Sequence, residues 1–482
     1  MTKIAARSTL QKALDINVDA SRYGTFAEIG AGQEVVRWFF QAGGAAGTIS
    51  KSISAYDMQV SDAIYGGCQR YVSRQRLEAM LAYEQQLNRD RLAAERGSTT
   101  SFFTFADTVS ARNYQGTNDC HAWLGVLFQH EPNADDSQVV VHVRMLDDTN
   151  AEQQHALGIV GVNLIYGALN FADNPHVMLQ SLVDGLSPGR IEIDLVDVKG
   201  PAFDGVDNRV LSLYLVELGL TGAALFDADG RVLQSTEVLR KRPLLIQRGR
   251  FRPLTHVNMD LLTSAQAKFE SMPDVDSERV LPIMEMSMHD LALDDEVCVS
   301  DFVSRAEVVA TSGCIVMVSD FVEYHRLASF LFSQTDQAIG LALGLQTLRE
   351  LFKDEYYANL DGGLLESFGR LFKRKLNLLV YPYQSDNSLV TLDELKLPPS
   401  QQHLLEYLRE LGYVHSIDDV ARQHLSIHSP DVLNMIQCGD ERWVECVPSA
   451  VAERIKAKKL FGYGERRKKK VAGETPAAAR RR

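Results

Sequence analysis

Residues 314–344 read CIVMVSDFVEYHRLASFLFSQTDQAIGLALG, and they contain the pattern that repeats through most of the chain. Two apolar runs, 314–321 and 337–344, enclose a segment whose apolar residues recur every three or four positions. A continuous apolar run is typical of a strand buried on both faces of a sheet, and the recurring spacing is typical of a helix. Because parallel strands need a connection of helical length, this stretch predicts a β–α–β arrangement.

The same apolar pattern recurs from residue 100 onward. Runs rich in Val, Ile, Leu and Phe span 102–109, 138–146, 190–198, 222–230, 242–249, 280–288, 314–321, 337–344 and 376–383. Helical periods lie between them at 150–171, 208–220, 321–334 and 343–360. At 226–232 the Asp-Gly of FDADGRV indicates a short antiparallel hairpin. We predict an α/β fold with a barrel-like (β/α) core of about eight to nine mostly parallel strands, in preference to an open doubly wound sheet.

Four segments follow from this pattern. Residues 1–100 are predicted to be a mainly helical region with Gly-rich turns, 101–390 the (β/α) core, 391–464 a helical appendage and 465–482 a disordered basic tail. The stretch 73–96 predicts a long helix with charges of both signs. Such a helix is typical of a protein surface or of an arm that packs on a second copy of the chain, which would make a homo-oligomer.

The charge distribution argues against nucleic acid as a specific partner. The chain has 482 residues and a formal net charge of −13, yet residues 465–482 hold eight Lys and Arg against two Glu. The remainder is therefore even more acidic, and an acidic surface repels a phosphate backbone. The tail is interpreted as a solubilising end, and the alternative is that it contacts an anionic partner.

Cysteine use and hydropathy indicate a cytoplasmic protein. The six cysteines include no C-x-x-C pair, which favours free thiols in a reducing compartment over a structural zinc site. No stretch approaches the roughly 20 apolar residues of a membrane helix. Residues 1–20 also lack the apolar core of a secretory signal. We therefore expect no membrane association.

Residues 28–48, EIGAGQEVVRWFFQAGGAAGT, place glycine-bearing turns on both sides of a short apolar helix. Glycine is used where the backbone takes a positive φ or where another group approaches the main chain closely. That group is either a neighbouring element or an anion held by backbone N–H groups, with a lysine and serines nearby to help. Both interpretations stay open. The candidate anion- or cofactor-binding residues are Gly30, Gly32, Gly44, Gly47 and Lys51.

Acidic residues follow or interrupt several apolar runs, where ligands of parallel α/β folds bind. Glu285 lies inside the run 280–288, and a buried carboxylate needs a compensating partner such as a cation or a metal. We take Glu285, Asp320 and His325 as candidate catalytic groups, acting as acid, base or metal ligand. Arg248 and Arg252 are their candidate charge partners and ligand-binding groups.

Further basic residues are expected at the same mouth of the barrel. They include Arg112 and His121 in ARNYQGTNDCHAW, with others around residues 241–256. Such a mouth would bind a phosphorylated or carboxylated metabolite, with or without Mg²⁺. No H-E-x-x-H motif, EF-hand loop or G-x-S-x-G elbow occurs in the chain, so no metal ligand or serine nucleophile is assigned.

At residues 26–66, 200–209 and 360–376 the chain resembles a family of soluble bacterial proteins, and the resemblance covers most of the length apart from the basic tail. Members of this family carry two conflicting labels, TonB-dependent receptor and nicotinate-nucleotide adenylyltransferase. The resemblance implies a bacterial α/β protein and, through the second label, nucleotide chemistry of NAD biosynthesis. It carries over no catalytic residue, because the chain contains no H-x-G-H-type phosphate motif.

Two functional hypotheses follow. The first is a cytosolic enzyme that acts on a phosphorylated or nucleotide-like metabolite through groups arriving at several strand ends. The second is a non-catalytic scaffold or regulator that holds partners through its charged helices and basic tail. A deep polar pocket would favour the enzyme, and exposed apolar patches on those helices would favour the scaffold.

Overall fold

The computed structural model describes residues 7–30, 33–293, 296–373, 375–385 and 388–464. Within them the strands are β1 (Arg22–Ile29), β2 (Ile49–Ile53), β3 (Ser101–Ser110), β4 (His121–Gln129), β5 (Asp136–Met145), β6 (Ile191–Lys199), β7 (Ala223–Phe226), β8 (Val232–Leu233), β9 (Leu244–Arg248), β10 (Leu281–Ser287), β11 (Ala292–Leu293), β12 (Glu296–Val297), β13 (Ile315–Ser319), β14 (Ile339–Gly344), β15 (Leu376–Tyr381), β16 (Tyr383–Gln384), β17 (Leu389–Val390) and β18 (Val414–Ser416).

The α-helices of the same residues are α1 (Thr9–Asn17), α2 (Glu34–Ala42), α3 (Met58–Tyr65), α4 (Arg74–Arg96), α5 (Asn150–Asn170), α6 (Pro175–Ser181), α7 (Asn208–Glu217), α8 (Ser235–Leu239), α9 (His256–Glu270), α10 (Met288–Leu291), α11 (Val299–Ala310), α12 (Tyr324–Gln334), α13 (Leu345–Leu351), α14 (Gly363–Leu371), α15 (Pro399–Glu410), α16 (Ser429–Cys438) and α17 (Ser449–Lys458). Short 3-10 turns connect several of them.

The first sheet has the strand order β2-β1-β3-β4-β5-β6. β1 is parallel to β2 and β3, whereas β3 to β6 pair antiparallel with their neighbours. Helices α1, α2, α5 and α6 pack on one face and α4 packs on the other. α4 covers only part of the sheet face on which it packs. The end of the sheet where β4 begins is not covered by α4.

The second sheet has the strand order β18-β15-β14-β9-β10-β13-β7-β8. Its first six strands are parallel, and β7 and β8 are antiparallel to their neighbours. Helices α9, α11, α16 and α17 pack on one face, and α8 and α12 to α15 pack on the other. α7 joins the halves, because Leu211 and Leu215 belong to the core of the first sheet and Leu213 and Val216 to that of the second.

The structure confirms the predicted mixed α/β architecture. It does not confirm the predicted barrel. Neither sheet closes, since β2 and β6 are the edges of the first and β18 and β8 the edges of the second. A barrel needs its first and last strands to pair. Here β4 to β6 form an antiparallel meander, so the apolar runs divide between two open sheets.

Individual strand predictions fare better than the barrel. Each of the nine apolar runs contains a strand, and β7 and β8 form the hairpin predicted at 226–232. The boundary predicted at residue 100 falls within the first sheet, which also contains β1 and β2. The stretch 73–96 is helical as α4, and one face of it packs on the sheet of its own chain. The basic tail, 465–482, lies outside the described residues.

Two glycines explain how closely the elements of the first half approach one another. Gly161 lies in α5 where any side chain would overlap Val35 of α2. Gly30 has φ +110°, and a side chain there would overlap the backbone carbonyl of Val109. Close packing therefore accounts for Gly30.

In the described part of the chain, no helix has both the length and the apolar character needed to cross a bilayer.

Candidate functional site

A cleft of about 920 Å³ lies where the first sheet meets the second half of the chain. Its floor is the end of the sheet where β4 begins and β5 ends, and its walls come from the loop before β4, the segment before α4, and α8 with the end of α12. Its polar lining consists of Arg70, Arg112, Asn118, Asp119, Cys120, His121, His142, Arg144, Asp147, Gln153, Gln234, Thr236, Glu237, Arg240, Ser333 and Gln334.

Three adjacent strands carry a chain of hydrogen-bonded side chains that ends in this cleft. Oδ1 of Asp194 on β6 lies 2.5 Å from Nδ1 of His142 on β5. Nε2 of His142 lies 3.1 Å from Nδ1 of His121 on β4. Asp194 and His142 are buried, at 4% and 1% exposure, whereas His121 is half-buried and faces the cleft. We call Asp194, His142 and His121 the relay.

A β-bulge explains why Asp194 reaches His142. His142 is paired with Leu195 and Val143 with Ile193, so Asp194 is the extra residue on β6. Such an insertion changes the direction in which a side chain points. The ring of Trp123 packs on the ring of His142 at a centroid distance of 4.8 Å. Backbone geometry and packing thus hold both inner members of the relay in place.

The hydrogen bonds assign the protons of the relay. An ionised carboxylate can only accept, so His142 donates from Nδ1 to Asp194 and, when neutral, keeps a bare Nε2. That Nε2 accepts from Nδ1–H of His121, which leaves Nε2 of His121 as a bare nitrogen. Nε2 of His121 makes no hydrogen bond with the residues that the structure describes. The free end of the relay is therefore a proton acceptor.

The environment keeps His121 neutral at physiological pH. Burial, followed by the neighbouring ring of His142, lowers the pKa of His121 to about 4, and the opposing effect of Asp119 and Asp194 is smaller. Arg70 acts in the same direction as His142. A neutral imidazole with a bare nitrogen facing a polar cleft is free to accept a proton, and a pKa of about 4 makes it a weaker base than one that titrates near neutral pH.

Four arginines surround this base, and they differ in how far their charge is already compensated. Arg144 pairs with Glu192 at 2.6 Å, and Arg70 reaches across to Glu237 of α8 at 3.2 Å. The guanidinium groups of Arg112 and Arg240 make no ion pair or hydrogen bond within the described part of the chain. Both residues are exposed and line the same cleft as His121, and guanidinium groups without a protein partner are suited to an anionic ligand.

The structure brings Glu285 and Arg248 together, but outside the cleft. Nε and Nη2 of Arg248 lie 2.8 Å from Oε2 and Oε1 of Glu285. Arg248 also donates to the carbonyl groups of residues 321 and 322, and Ser319 donates to Glu285 at 2.6 Å. The expected partner of the buried carboxylate is thus a cation, and all three guanidinium nitrogens and both carboxylate oxygens of the pair are hydrogen-bonded.

Asp320, His325 and Arg252 do not meet around that pair. Nδ1 of His325 is hydrogen-bonded to Ser367 at 3.1 Å, and burial lowers its pKa. Arg252 binds Asp301 at 2.6 Å. Asp320 faces Arg326 at 3.7 Å, and its Oδ1 has no hydrogen-bond partner among the described residues. None of these residues lines the cleft, and a catalytic role for them stays a prediction.

In the glycine-rich stretch, a side chain of the protein already occupies the helix N-terminus. The N-terminus of α2 binds the carboxylate of Glu28, which accepts from N–H of Val35 at 2.9 Å and of Val36 at 3.1 Å. Lys51 forms an ion pair with the buried Glu84 of α4. Gly44 has φ +77° in a tight turn, and neither it nor Gly47 lines the cleft. Gly32 lies outside the described residues, so anion binding by the glycines stays a prediction.

Sequence reasoning placed Arg112 and His121 in one polar site, and the cleft contains both. It did not group them with His142, Arg144, Gln234 or Arg240, and it took Asp194 only as one strand-end acid among many. The available signal was a polar residue inside an apolar run, as in VVVHVRM at 139–145 and IEIDLVD at 191–197. That signal marks buried polar groups, but it does not say which of them open onto a cavity.

No family model matches the chain, and no curated protein matches it. Among solved structures, it is similar to a competence-damaged protein (CinA) superfamily protein from Klebsiella pneumoniae, with 11% identity over 34% of this chain and 98% of that one and a TM-score of 0.27. It is also similar to the competence/damage inducible protein CihA from Agrobacterium tumefaciens, with 16% identity over 35% and 99% and a TM-score of 0.26.

Proposed function

We propose that the protein is an enzyme that binds an anionic small metabolite, phosphorylated or nucleotide-like, in the cleft between its two halves. His121 is the general base, and Arg112 and Arg240 hold the anionic group. The observation that carries the proposal is the relay, which ends at a bare imidazole nitrogen inside a cleft with two uncompensated guanidinium groups.

The arginines support the choice of an anionic ligand. The chain as a whole has 63 Asp and Glu against 50 Lys and Arg, whereas four arginines and three acidic side chains line the cleft. A local reversal of charge in an acidic protein concentrates anions at that place. Planar guanidinium groups also match the oxygens of phosphate and carboxylate.

The relay supports proton abstraction as the chemical role of the cleft. Nε2 of His121 takes a proton from a water molecule or a hydroxyl group, and Nδ1–H of His121 is then in position to pass a proton to His142. The imidazolium formed at His142 lies beside the carboxylate of Asp194, which offsets its charge. The arginines stabilise negative charge that develops on the ligand.

A thermal-shift screen tests the binding half of the proposal. The panel contains inorganic phosphate, pyrophosphate, nucleotides, phosphosugars and dicarboxylates, each with and without Mg²⁺. Since a ligand that binds only the folded state raises the melting point, we expect a shift for at least one member. Arg112→Ala and Arg240→Ala should each weaken that binding by about 10- to 100-fold, the loss of one charge-assisted contact.

Arg442→Ala is the matched control, because it removes the same charge from an exposed pair with Asp440 elsewhere. It should bind the ligand as the wild type does. Equal weakening by all three variants would point to general electrostatics instead of the cleft. No shift with any ligand would contradict the proposal.

The scaffold stays the alternative, favoured by the exposed Tyr83 on α4 and by Tyr407 and Leu411 on or beside α15. Pairing of two copies through the outer face of α4 is part of that alternative. Recovery of a defined partner or a dimer that Tyr83→Ala abolishes, together with no ligand for the cleft, would favour it. A cytoplasmic location belongs to both alternatives.

A further inference from the structure

Gln234 is the residue through which the second half of the chain contacts the relay. It lies between β8 and α8, is 7% exposed, and lines the cleft. Its Nε2 lies 2.9 Å from Nε2 of His142. Its Oε1 is also buried, and no group in the described residues donates to it. A buried amide oxygen without a donor is unfavourable, so one end of this side chain is unsatisfied while the other binds the relay.

The two ends of the carboxamide match two protonation states of His142. Because Asp194 holds Nδ1–H, only Nε2 of His142 gains or loses a proton during the relay. A bare Nε2 accepts from the amide NH₂ group, which shares this nitrogen with Nδ1–H of His121. A protonated Nε2 can no longer accept from the NH₂ group, and rotating the amide by half a turn replaces that donor with the acceptor Oε1, beside the Nδ1 of His121 that has just lost its proton. The unsatisfied oxygen then has its donor.

We propose that Gln234 is a positioning residue whose carboxamide turns over when the proton passes from His121 to His142. The proton of the attacking water or hydroxyl goes to Nε2 of His121, and the Nδ1 proton of His121 goes to Nε2 of His142. Oε1 of Gln234 then accepts from Nε2–H, and the reverse steps return one proton to the leaving group. The catalytic consequence rests on the proposed function, whereas the contact exists without a ligand.

Gln234, which contacts the base His121 through His142, lies in a different half of the chain from the base itself. The relay belongs to β4, β5 and β6, and Gln234 belongs to the β8–α8 connection, which Arg70 also contacts through Glu237. The contact between Gln234 and the relay therefore forms only when the two halves are in contact. The other charged and titratable groups that surround it are Arg112, Asp119, Cys120, Arg144, Asp147, Glu192, Glu237 and Arg240.

The test is ¹⁵N NMR of the full chain with labelled histidine at pH 7 and without a ligand. In the wild type we expect His142 to carry its proton on Nδ1 and to show the signal of an accepting nitrogen at Nε2. Gln234→Glu provides only acceptors, so the Nε2 signal should move toward that of a protonated nitrogen. Gln234→Met removes both ends and leaves Nε2 of His142 only the donor Nδ1–H of His121, so the signal should move toward that of a more weakly hydrogen-bonded nitrogen.

Gln334→Met is the matched control for the spectrum, because Gln334 lines the same cleft but bonds to Thr236 and Ser333 instead of His142. The His142 signals should not move in this variant. The inference is overturned if both Gln234 variants, folded by circular dichroism, give the wild-type His142 signals, or if the control moves them equally. Signals that respond as expected in a protein that turns over no metabolite would instead overturn the proposed function alone.

Discussion

Glu285 and Arg248 illustrate how single buried residues are held in this fold. Both carboxylate oxygens face the guanidinium group at 2.8 Å, and the ring of Tyr324 lies 4.5 Å from the guanidinium carbon. Removing one member of a buried pair leaves the other charge without a partner, which costs more than the pair itself contributes. We therefore expect substitutions in this pair to change the stability of the protein and not its chemistry.

Arg248→Met should lower the free energy of unfolding by about 3–5 kcal/mol, because Glu285 would stay buried and unpaired. The double variant Arg248→Met with Glu285→Met should recover most of that loss. Urea unfolding measures both, and Arg250→Met, an exposed arginine two residues away, is the control. A single variant as stable as the double variant would contradict this account of the pair.

Glu28 and Asp107 form a second buried pair, in which both members are acidic. They are opposite each other on the parallel strands β1 and β3. Burial raises the pKa of Glu28 to about 7, although the backbone N–H groups of α2 oppose the shift. Burial and then the charge of Glu28 raise the pKa of Asp107 well above its usual range. Both carboxyl groups therefore hold their protons to a higher pH than exposed carboxyl groups do.

A raised carboxyl pKa stabilises the folded state below the ordinary carboxyl range, and that contribution is lost as the pH rises through the folded-state value. As the pH rises from 5 to 8, deprotonation of the pair should decrease the free energy of unfolding by on the order of 1–3 kcal/mol. Asp107→Asn should flatten that dependence in urea unfolding, while the exposed Asp229→Asn should not. An unchanged slope for Asp107→Asn would rule out the pair as its source.

At the scale of whole elements, Glu307 of α11 ties the C-terminal helix to the body. Arg209 of α7 and both Arg454 and Lys458 of α17 lie 2.7–2.8 Å from its carboxylate. Burial alone would raise the pKa of Glu307, but the hydrogen bonds from Lys458, Arg209 and Arg454 outweigh it and lower that pKa to about 2. One carboxylate thus connects three helices.

Glu307→Gln should loosen α17, because it replaces a charge shared by three cations with a neutral amide. We expect a loss of about 1–2 kcal/mol in the free energy of unfolding. Amide hydrogen exchange should speed up in α17 more than in the strands of the second sheet. Glu453→Gln on the exposed side of α17 is the control, and equal exchange in both variants would contradict the role of Glu307.

The sequence predicts which segments become strands better than how those strands assemble. Continuous apolar runs such as 314–321 and 376–383 mark β13 and β15, because both faces of these strands are covered by helices. Strand order depends instead on contacts between distant residues, such as those that place β1 between β2 and β3. The polar β2, ISKSI, carries no apolar run and could not be found this way.

At the scale of the whole molecule, the cleft exists because two halves of the chain meet. His142 and Gln234 are 92 residues apart and lie 2.9 Å apart through their side-chain nitrogens. Sequence patterns show that His142 and Glu285 are both polar residues in apolar strands. Only the assembled fold shows that Glu285 is enclosed by its partners while His142 leads to an open cavity. Arg112 and His121 could be predicted together because one short segment, the β3–β4 loop with the first residue of β4, carries both.

The central claim is that the cleft is an active site in which His121 acts as the base. The most direct measurement is NMR-monitored turnover of a mixture of phosphorylated and carboxylated metabolites by the full chain, with and without Mg²⁺. We predict that the wild type consumes at least one metabolite and that His121→Ala slows this by about 100-fold or more, the usual contribution of a general base. His130→Ala, at an exposed histidine in the β4–β5 loop, should keep the wild-type rate. Turnover that survives in His121→Ala, or no turnover by the wild type, would contradict the account.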